Sequence, residues 1–407
     1  MVLQDGRSKE CPHADLLLTA AKHSAKVISC KRMHKRLTIQ DIAQIAGVSA
    51  STVSRSLNDS PLVADQTKAR IQEIADQGNF SFNATARSLV TRRTGNLGLI
   101  CPDSFDEYQY SLHLTLLINT IRRLLEADDL DLIVKFRYDA NGRNSIRHLL
   151  NSRKVDALIV ISPDITADEI AFIHGHDIPL VFLQAIPPHI DLSNENFVFA
   201  DHVAGGAMAT DHLLRLGHER ILCFTIDTPE GSFRERTEGY RRALHDHNLE
   251  VDEDMIVAGD GTFEFAYQFV LRNADQVHNR FTAIFSQTDI MALGAIEGLW
   301  DCDLSVPGDV AVVSYDDIGF GKDFRPRLTT VHQPRNRLAV AACNRLVELL
   351  AGRANRTEER QPDAGSALLQ RRVQPYLVVR ESCGTEHGTS TQQHKPTRST
   401  IRLRRDL

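Results

Sequence analysis

The sequence predicts a small all-α domain that carries a helix-turn-helix, followed by a two-lobed α/β domain built on two Rossmann-like parallel sheets. The stretch from Thr38 to Asn58 has the apolar spacing and the turn residue of a helix-turn-helix. From Leu97 onward, short apolar strands alternate with helical segments, which is typical of parallel sheets. Nine such strands are too many for one doubly wound domain. We therefore expect two lobes with a cleft between them.

Composition places the chain among globular proteins. It has 407 residues, of which 42% are hydrophobic and 25% charged, and its formal net charge is −6. This length has room for two or three domains. The segment from Met33 to Thr94 holds eight Lys or Arg and five Asp or Glu, so its charge is +3. A region that contacts nucleic acid is expected to be basic even when the whole chain is acidic.

The cysteines and the apolar runs indicate the compartment. All seven cysteines stand singly, without a CxxC pair, which favours reduced thiols and no metal site. No apolar run approaches the roughly 18 residues of a membrane span. The N-terminus also lacks the pattern of a signal peptide. We expect a cytoplasmic protein with no membrane segment and no cofactor.

Each part of the helix-turn-helix has a physical reason. Thr38 can cap the first helix, with Asp41 near its positive end. Four apolar residues then share one helix face: Ile39, Ile42, Ala43 and Ala46. Gly47 tolerates a left-handed turn, and Ser49 can cap the second helix. Two residues of that helix point inward: Val53 and Leu57. Its outward face is small, polar and basic, which suits the major groove of DNA: Ala50, Ser51, Ser54 and Arg55. A surface helical hairpin is the alternative.

The segments on either side of the motif are less regular. Residues 1–36 form an N-terminal extension that is basic at its end, and we expect it to be disordered or to result from a start codon placed upstream of Met33. A basic arm that contacts phosphates is the alternative. A third helix is predicted from Asp65 to Gln77, which completes a domain over residues 37–82. Residues 83–94 hold a short helical segment that begins at Asn83. It has no long apolar face, so we expect it to fold only against a copy of itself or DNA.

Residues 95–382 carry the α/β pattern. The predicted strands are LGLIC, LDLIVKF, ALIVI, LVFL, FVFA, RILCF, MIVA, TAIFS and VAVVSY, with a final strand in VQPYLVVRES. The predicted helices are Tyr110–Ala127, Asn144–Ser152, Ala167–Gly175, His202–Leu216, Arg234–His247, Phe263–Asn273, Asp289–Trp300 and Pro334–Ala351. Residues 383–407 turn to small polar residues and Arg, and we expect a disordered tail.

The order of these parts resembles the lactose-repressor (LacI/GalR) family of bacterial transcription regulators. The resemblance covers Leu37 to Ser382. It rests on the segments DIAQIAGVSASTVSRSLN, FNATARSLVTRRTGNLGLICPD, DHLLRLGHERI, SFRERTEGYRRAL, TDIMALGAI, VAVVSYDDI, RPRLTTVHQP and LVVRES. It implies a helix-turn-helix headpiece with a hinge helix, followed by a periplasmic-binding-protein-like effector domain.

The resemblance also implies which residues contact DNA. Arg55 is expected to contact guanine, and Ala50 and Ser51 are expected to set operator preference through small contacts. Five residues are expected to position phosphates: Thr38, Ser49, Thr52, Ser54 and Asn58. In the hinge helix, which begins at Asn83, Ala86 lets two copies approach, and Leu89 wedges into a central minor-groove step.

Six residues match effector-binding positions of the family: Tyr108, Gln184, Arg236, Thr288, Asp289 and Asp316. Arg236 offers a planar fork of donors, and Asp316 can accept two hydroxyl bonds. The family often has Asn or Ala where Thr288 stands, so the contact from that strand end is left open. Asp289 and Asp316 could instead be structural caps, and Arg236 could pair with a neighbouring Glu on the surface.

The sequence contains none of the short motifs that would indicate an enzyme. GxxxxGK[ST], GxGxxG, GxSxG and HExxH are absent. We therefore expect no catalytic and no metal-binding residues. The predicted function is a homodimeric regulator, more often a repressor than an activator in this family. It would bind pseudo-palindromic double-stranded operator DNA and respond to a small effector, a sugar or a sugar derivative. A nucleoside- or purine-responsive regulator is the runner-up, and a solute-binding receptor is the remaining alternative.

Overall fold

The computed structural model describes residues 37–57, 60–78, 80, 93–103, 111–188, 190–228, 231–273, 277–354 and 368–384. The chain divides into two compact units, residues 1–83 and 84–407.

The first unit contains three helices, α1 (Ile39–Ala46), α2 (Ala50–Leu57) and α3 (Asp65–Gln77). Their inward faces form one small apolar core: Ile42, Ala43, Ala46, Val53, Ile71 and Ala75. Gly47 ends α1 with φ 69° and ψ 30°, the left-handed turn that its position in the sequence predicted. The predicted helix-turn-helix is therefore present, and α3 has the predicted bounds.

The second unit has two lobes. The first lobe begins with eight elements: β1 (Asn96–Cys101), α4 (Ser111–Glu126), β2 (Asp131–Phe136), α5 (Ser145–Asn151), β3 (Ala157–Val160), α6 (Ala167–Gly175), β4 (Leu180–Leu183) and β5 (Phe197–Ala200). The second lobe follows with ten: α7 (His202–Arg215), β6 (Ile221–Ile226), α8 (Gly231–Asp246), β7 (Ile256–Gly259), α9 (Phe263–Arg272), α10 (Val277–Arg280), β8 (Ala283–Ser286), α11 (Asp289–Asp301), β9 (Ala311–Asp316) and β10 (Thr329–His332). The chain then forms α12 (Arg335–Ala354), β11 (Gln370–Val373) and β12 (Tyr376–Val378).

The two sheets have the same internal order. The first is β11-β5-β4-β3-β1-β2 and the second is β12-β10-β9-β8-β6-β7. The strand pairs are parallel except for β10 with β12. Because α12 packs on α4 and β4, and β11 pairs with β5, the chain passes between the lobes after β5, after β10 and after β11. Each sheet is covered on both faces by an apolar cluster. These sheets confirm the predicted fold class.

Two strands, the short helix α10 and one domain boundary differ from the prediction. Neither β10 nor β11 was predicted as a strand, because β10 is rich in Thr and β11 is polar and largely exposed. Cys383, which was assigned to the tail, is 1% exposed and packs in the core of the second lobe. Residues 385–407 and the N-terminal extension lie outside the described residues.

The described part of the chain bears on three further predictions. It contains no helix long and apolar enough to span a membrane. Its five cysteines form no disulfide bond: Cys101, Cys223, Cys302, Cys343 and Cys383. Within the same residues, no group of three or more His, Cys, Asp or Glu side chains is arranged to hold a metal ion.

Candidate functional site

The start of the helix-turn-helix is held by a capping box. The Thr38 Oγ1 atom accepts from the Asp41 backbone N–H at 3.3 Å, and the Asp41 carboxylate accepts from the Thr38 N–H at 2.8 Å. These bonds satisfy two of the donors that a helix start leaves unpaired. Thr38 thus has a structural role at α1, whether or not it also contacts phosphate.

The second helix presents a polar face. Ala50, Ser51 and Arg55 are exposed and Ser54 is partly buried, whereas Val53 is fully buried. The Ser49 Oγ atom accepts from the Thr52 N–H at 3.1 Å, which caps the helix. Its hydroxyl also lies 2.8 Å from the hydroxyls of two neighbours: Ser51 and Thr52. The face carries small polar side chains, which suits a helix in a major groove, and Arg55 is its cation.

Five of the predicted site residues lie outside the described residues. They are four from the DNA-binding set and one from the effector-binding set: Asn58, Asn83, Ala86, Leu89 and Tyr108.

A cavity lies between the lobes of the second unit, at the carboxyl ends of the strands. It holds about 400 Å³ of empty space, including its open mouth. The first lobe supplies its apolar wall: Pro102, Leu114, Ile161, Pro163 and Ala185. The second lobe adds the ring of Phe233. The polar groups of the lining come from five elements or the segments next to them: His113, Gln184, Arg236, Asp316 and Gln333. This is where ligands bind in open α/β sheets.

Arg236 is the central cation of the cavity. It lies on α8 and is 3% exposed. Its Nη1 donates to the Gln287 carbonyl at 2.5 Å, and its Nη2 lies 3.7 Å from Asp316 Oδ1. Its guanidinium carbon stands 3.9 Å from the centre of the Tyr315 ring, a cation–π contact. The charge is therefore held in place by groups of the second lobe.

Asp316 begins a chain of amide hydrogen bonds. Its Oδ1 accepts from Gln333 Nε2 at 2.6 Å, and Gln333 Oε1 accepts from Gln184 Nε2 at 2.8 Å. Asp316 has φ 113° and Gln184 has φ 69°, both in the left-handed region. Backbone strain of this kind clusters at active sites and ligand-binding sites. Burial raises the pKa of Asp316, against the opposing effect of Arg236.

His113 faces the same cavity from α4. It is 3% exposed, and its Nδ1 lies 3.4 Å from Arg335 Nη1. Burial, together with the cations of Arg335 and Arg236, holds the pKa of His113 well below its usual value. The ring is therefore neutral at physiological pH.

The structure does not bring Thr288 and Asp289 to the cavity lining. Thr288 caps α11 by accepting from the Met291 N–H at 3.3 Å. The Asp289 carboxylate is fully buried and accepts from three donors: Ser314 Oγ, Thr330 Oγ1 and the Ile318 N–H. The distance between the Ile318 backbone nitrogen and Asp289 Oδ2 is 2.7 Å. Asp289 therefore ties β9 and β10 to the turn that follows Asp316. This role is structural, but the residue that caps the helix is Thr288 and not Asp289.

Sequence reasoning brought Gln184, Arg236 and Asp316 together and missed His113 and Gln333. Gln333 stands in the quoted segment RPRLTTVHQP, so its place next to a strand end was a usable signal. His113 lies in an apolar helical run, LHLTLL, where a histidine gives no comparable signal.

Comparison with known proteins bears on both units. A model of bacterial regulatory proteins of the lacI family matches residues 38–83, and a model of the periplasmic binding protein-like domain matches residues 210–383. The HTH-type transcriptional repressor PurR of Vibrio atlanticus is 31% identical over 76% of this chain and 91% of that protein. The probable HTH-type transcriptional repressor ExuR of Bacillus subtilis is 31% identical over 79% of this chain and 94% of that protein.

Solved structures show the same fold. The lac repressor dimer bound to operator and the anti-inducer ONPF has a TM-score of 0.67 at 22% identity, over 86% of this chain and 99% of that one. The complex of the transcriptional regulator CelR with cellobiose has a TM-score of 0.60 at 24% identity, over 85% and 100%. The chain therefore belongs to the lacI family of bacterial regulatory proteins, which confirms the prediction of a DNA-binding transcriptional regulator.

Proposed function

We propose that this protein is a sequence-specific repressor whose affinity for operator DNA is controlled by a small sugar, or a sugar derivative, bound between the two lobes. The observation that carries the proposal is the cavity in which the buried side chains of Gln184, Arg236 and Asp316 meet. A carboxylate and a guanidinium orient hydroxyl groups, while the apolar wall accepts the sugar's carbon face. Structures of the same fold hold cellobiose and ribose, which supports this choice.

A nucleoside or purine is the second candidate. The Phe233 ring in the cavity lining favours it, because an aromatic face stacks on a nucleobase. Titration with adenosine and hypoxanthine beside the sugars separates the two candidates.

The mechanism we propose has a homodimer acting in the bacterial cytoplasm. Two α2 helices enter successive major grooves of a near-palindrome, with Arg55 donating to guanine. Two copies of the 83–94 segment fold between them, and Leu89 wedges into the minor groove. A ligand changes the closure of the lobes and so the spacing of these segments. Such coupling is typically about 1–3 kcal/mol; it strengthens operator binding when the ligand is a corepressor and weakens it when the ligand is an inducer. No step is catalytic.

Arg55→Ala tests the DNA half of the proposal. We expect it to abolish specific binding to DNA from upstream of this protein's own gene, measured by fluorescence anisotropy, while ligand binding is kept. Arg70→Ala is the matched control, because Arg70 is also exposed but lies on α3. If Arg55→Ala binds the specific DNA as tightly as Arg70→Ala does, the assignment of the reading helix is wrong.

Arg236→Ala tests the ligand half. We expect the variant to bind operator normally and to lose the ligand response, since its guanidinium lies in the cavity. Arg236→Lys keeps the charge but not the planar fork, so it should bind operator and respond only weakly. The unfolding midpoint of each variant reports whether the fold survives. A folded Arg236→Ala protein with a normal response would refute the cavity assignment.

A further inference from the structure

The second turn of α8 is joined to the first lobe by an ion pair. Arg372 Nη1 and Nη2 donate to the two carboxylate oxygens of Glu235, at 2.6 Å and 2.8 Å. Glu235 lies on α8 in the second lobe, whereas Arg372 lies on β11, which pairs with β5 in the sheet of the first lobe. Two parallel charge-assisted bonds give an arginine–carboxylate pair both strength and a fixed geometry. The contact therefore connects the two lobes outside the cavity.

The same face of α8 meets the first lobe one helical turn earlier. The Gly231 N–H donates to the Ile186 carbonyl at 3.1 Å, and a Cβ built at Gly231 would stand 2.9 Å from the Ile186 Cβ. Ile186 follows β4 and packs on an apolar cluster of the first lobe. Residues four apart, such as Gly231 and Glu235, lie on one face of a helix. Contacts at two successive turns show that α8 turns this face toward the first lobe.

The charges around Arg372 favour its pairing with Glu235. The hydrogen bond to Glu235 raises the pKa of Arg372 against the opposing effect of burial, and the charges of Glu235 and Asp201 raise it further. The Asp201 carboxylate is already occupied, since it caps α7 and accepts from Gln374 Nε2 at 2.6 Å. Burial, with the cations of its surroundings, holds the pKa of His202 well below its usual value, so that neighbouring ring adds no charge. Among the described residues, Glu235 is the carboxylate within bonding distance of Arg372.

A second ion pair on α8 provides an internal comparison. Arg241 donates to Glu253 with Nε and Nη2, at 2.9 Å and 2.7 Å, so this pair is also bidentate. Arg241 lies about 240° further round the helix than Glu235, and Glu253 precedes β7 in the same lobe. The two arginines are similarly exposed, 40% for Arg372 and 36% for Arg241. The pairs thus share their chemistry, but one joins the lobes and the other lies within one lobe.

We propose that Glu235 and Arg372 form an interlobe clamp that favours the closed arrangement of the lobes before any ligand is bound. Opening the lobes separates α8 from β11 and breaks both hydrogen bonds, whereas a pair within one lobe is unaffected. Because both side chains are partly exposed, salt screens the clamp, and its effect on the closure equilibrium is about 3- to 5-fold. The clamp would also set the operator affinity of the ligand-free protein, a step that rests on the proposed function.

The first experiment measures lobe closure in the full chain without ligand. Nitroxide labels on p-acetylphenylalanine, introduced at Asn141 and Glu264, avoid the native cysteines. These two exposed residues follow β2 and β7, the sheet edges farthest from the lobe crossings. Pulsed electron resonance on labelled chains diluted with unlabelled chains gives the ratio of open to closed molecules. Glu235→Gln should raise this ratio about 3- to 5-fold, and the matched control Glu253→Gln should leave it unchanged.

Charge reversal and salt test the same clamp. Arg372→Glu places two carboxylates face to face and should open the lobes further than Glu235→Gln, and adding Glu235→Arg to it should restore closure. Raising the salt from about 0.01 M to about 1 M shortens the Debye length from about 30 Å to about 3 Å and should bring the wild type to the ratio of Glu235→Gln. Unfolding midpoints report whether each variant is folded, and Glu235→Gln alone carries the test if Arg372→Glu does not fold. Label distances in folded Glu235→Gln that match the wild type at low salt would refute the clamp.

Operator affinity separates the clamp from the proposed function. Fluorescence anisotropy with DNA from upstream of this protein's own gene, at one salt concentration, would compare Glu235→Gln with Glu253→Gln. A changed label distance together with a changed DNA affinity supports both. A changed label distance with unchanged DNA affinity supports the clamp and overturns the proposed control by lobe closure. An unchanged label distance overturns the clamp, whatever the DNA affinity.

Discussion

Gly206→Ala provides the most direct test of how the ligand-binding helix is positioned. Gly206 lies on α7 where it crosses α8, and a Cβ built there would stand 2.1 Å from the carbonyl oxygen of Arg236. Real Cβ atoms essentially never approach within 3.0 Å, so the two helices would have to separate by about 1 Å. The clash is with backbone, so no side chain can rotate away. On α8 itself, a Cβ at Gly239 would meet the Val203 carbonyl at 2.2 Å.

The magnitude follows from two opposing effects. Alanine is a better helix former than glycine by about 1 kcal/mol. Overpacking of a fixed contact costs up to about 3 kcal/mol. The net destabilisation of Gly206→Ala is therefore about 2 kcal/mol, or roughly 4–8 °C in the unfolding midpoint of a domain this large. Because the shifted carbonyl belongs to Arg236, the variant should also bind ligand more weakly.

Thermal unfolding and ligand titration check this prediction. The matched control is Gly352→Ala on α12, where an added Cβ meets nothing within 4 Å of the described residues. That variant should be neutral or slightly more stable than the wild type. A Gly206→Ala protein as stable as Gly352→Ala, with unchanged ligand affinity, would refute the claim that this close crossing positions Arg236.

Three further substitutions probe single interactions. Thr38→Ala removes the cap of α1 and should cost about 1 kcal/mol, visible as faster hydrogen exchange of the α1 amides; unchanged exchange would contradict it. Gly47→Val should destabilise the helix-turn-helix by about 1–2 kcal/mol, since φ is 69°, and Gly47→Asn should destabilise it less. If the two variants have equal unfolding midpoints, backbone strain at this position is not the cause. Burial and the nearby charge of Asp316 raise the pKa of Asp289 to about 7, above its unfolded value of 3.8. Its contribution to stability is therefore present below about pH 4 and lost as the pH rises through 7, so the wild type should lose stability relative to Asp289→Asn over this range in chemical denaturation. If the free energies of unfolding of the wild type and Asp289→Asn change with pH in parallel, the predicted direction is wrong.

Apolar periodicity was enough to find most elements but not all. The helix Asp65–Gln77 and the strand Leu180–Leu183 have the bounds that the sequence predicted. The strand Thr329–His332 was missed because its buried threonines do not look apolar. In the fold Thr330 is fully buried, yet its hydroxyl donates to Asp289 at 2.7 Å. A buried polar strand is stable only when its partners are in place, and these partners are remote in sequence.

Partners that are remote in sequence also decide which of the predicted residues reach the cavity and which do not. Asp289 and Asp316 both follow or end a buried strand, so their spacing gives them equal claims to the ligand. The structure brings three donors to Asp289 and leaves Asp316 on the cavity wall. A carboxylate whose acceptor sites are filled by protein donors has little capacity left to bind a ligand. Those donors can be identified only from the folded structure.

The polarity of the cavity is set by contacts that sequence spacing could not reveal. Gln184 and Gln333 are 149 positions apart, and His113 and Arg335 are 222 apart. Arg335 stands at the start of α12, where the chain returns from the second lobe to the first. It donates to the Asp316 carbonyl at 2.8 Å and reaches His113 on the other lobe. A movement of one lobe against the other should therefore change the contact between Arg335 and His113. A ligand that contacts the lining from both lobes therefore has a binding free energy that depends on lobe closure, which is the condition for a ligand to shift the closure in return.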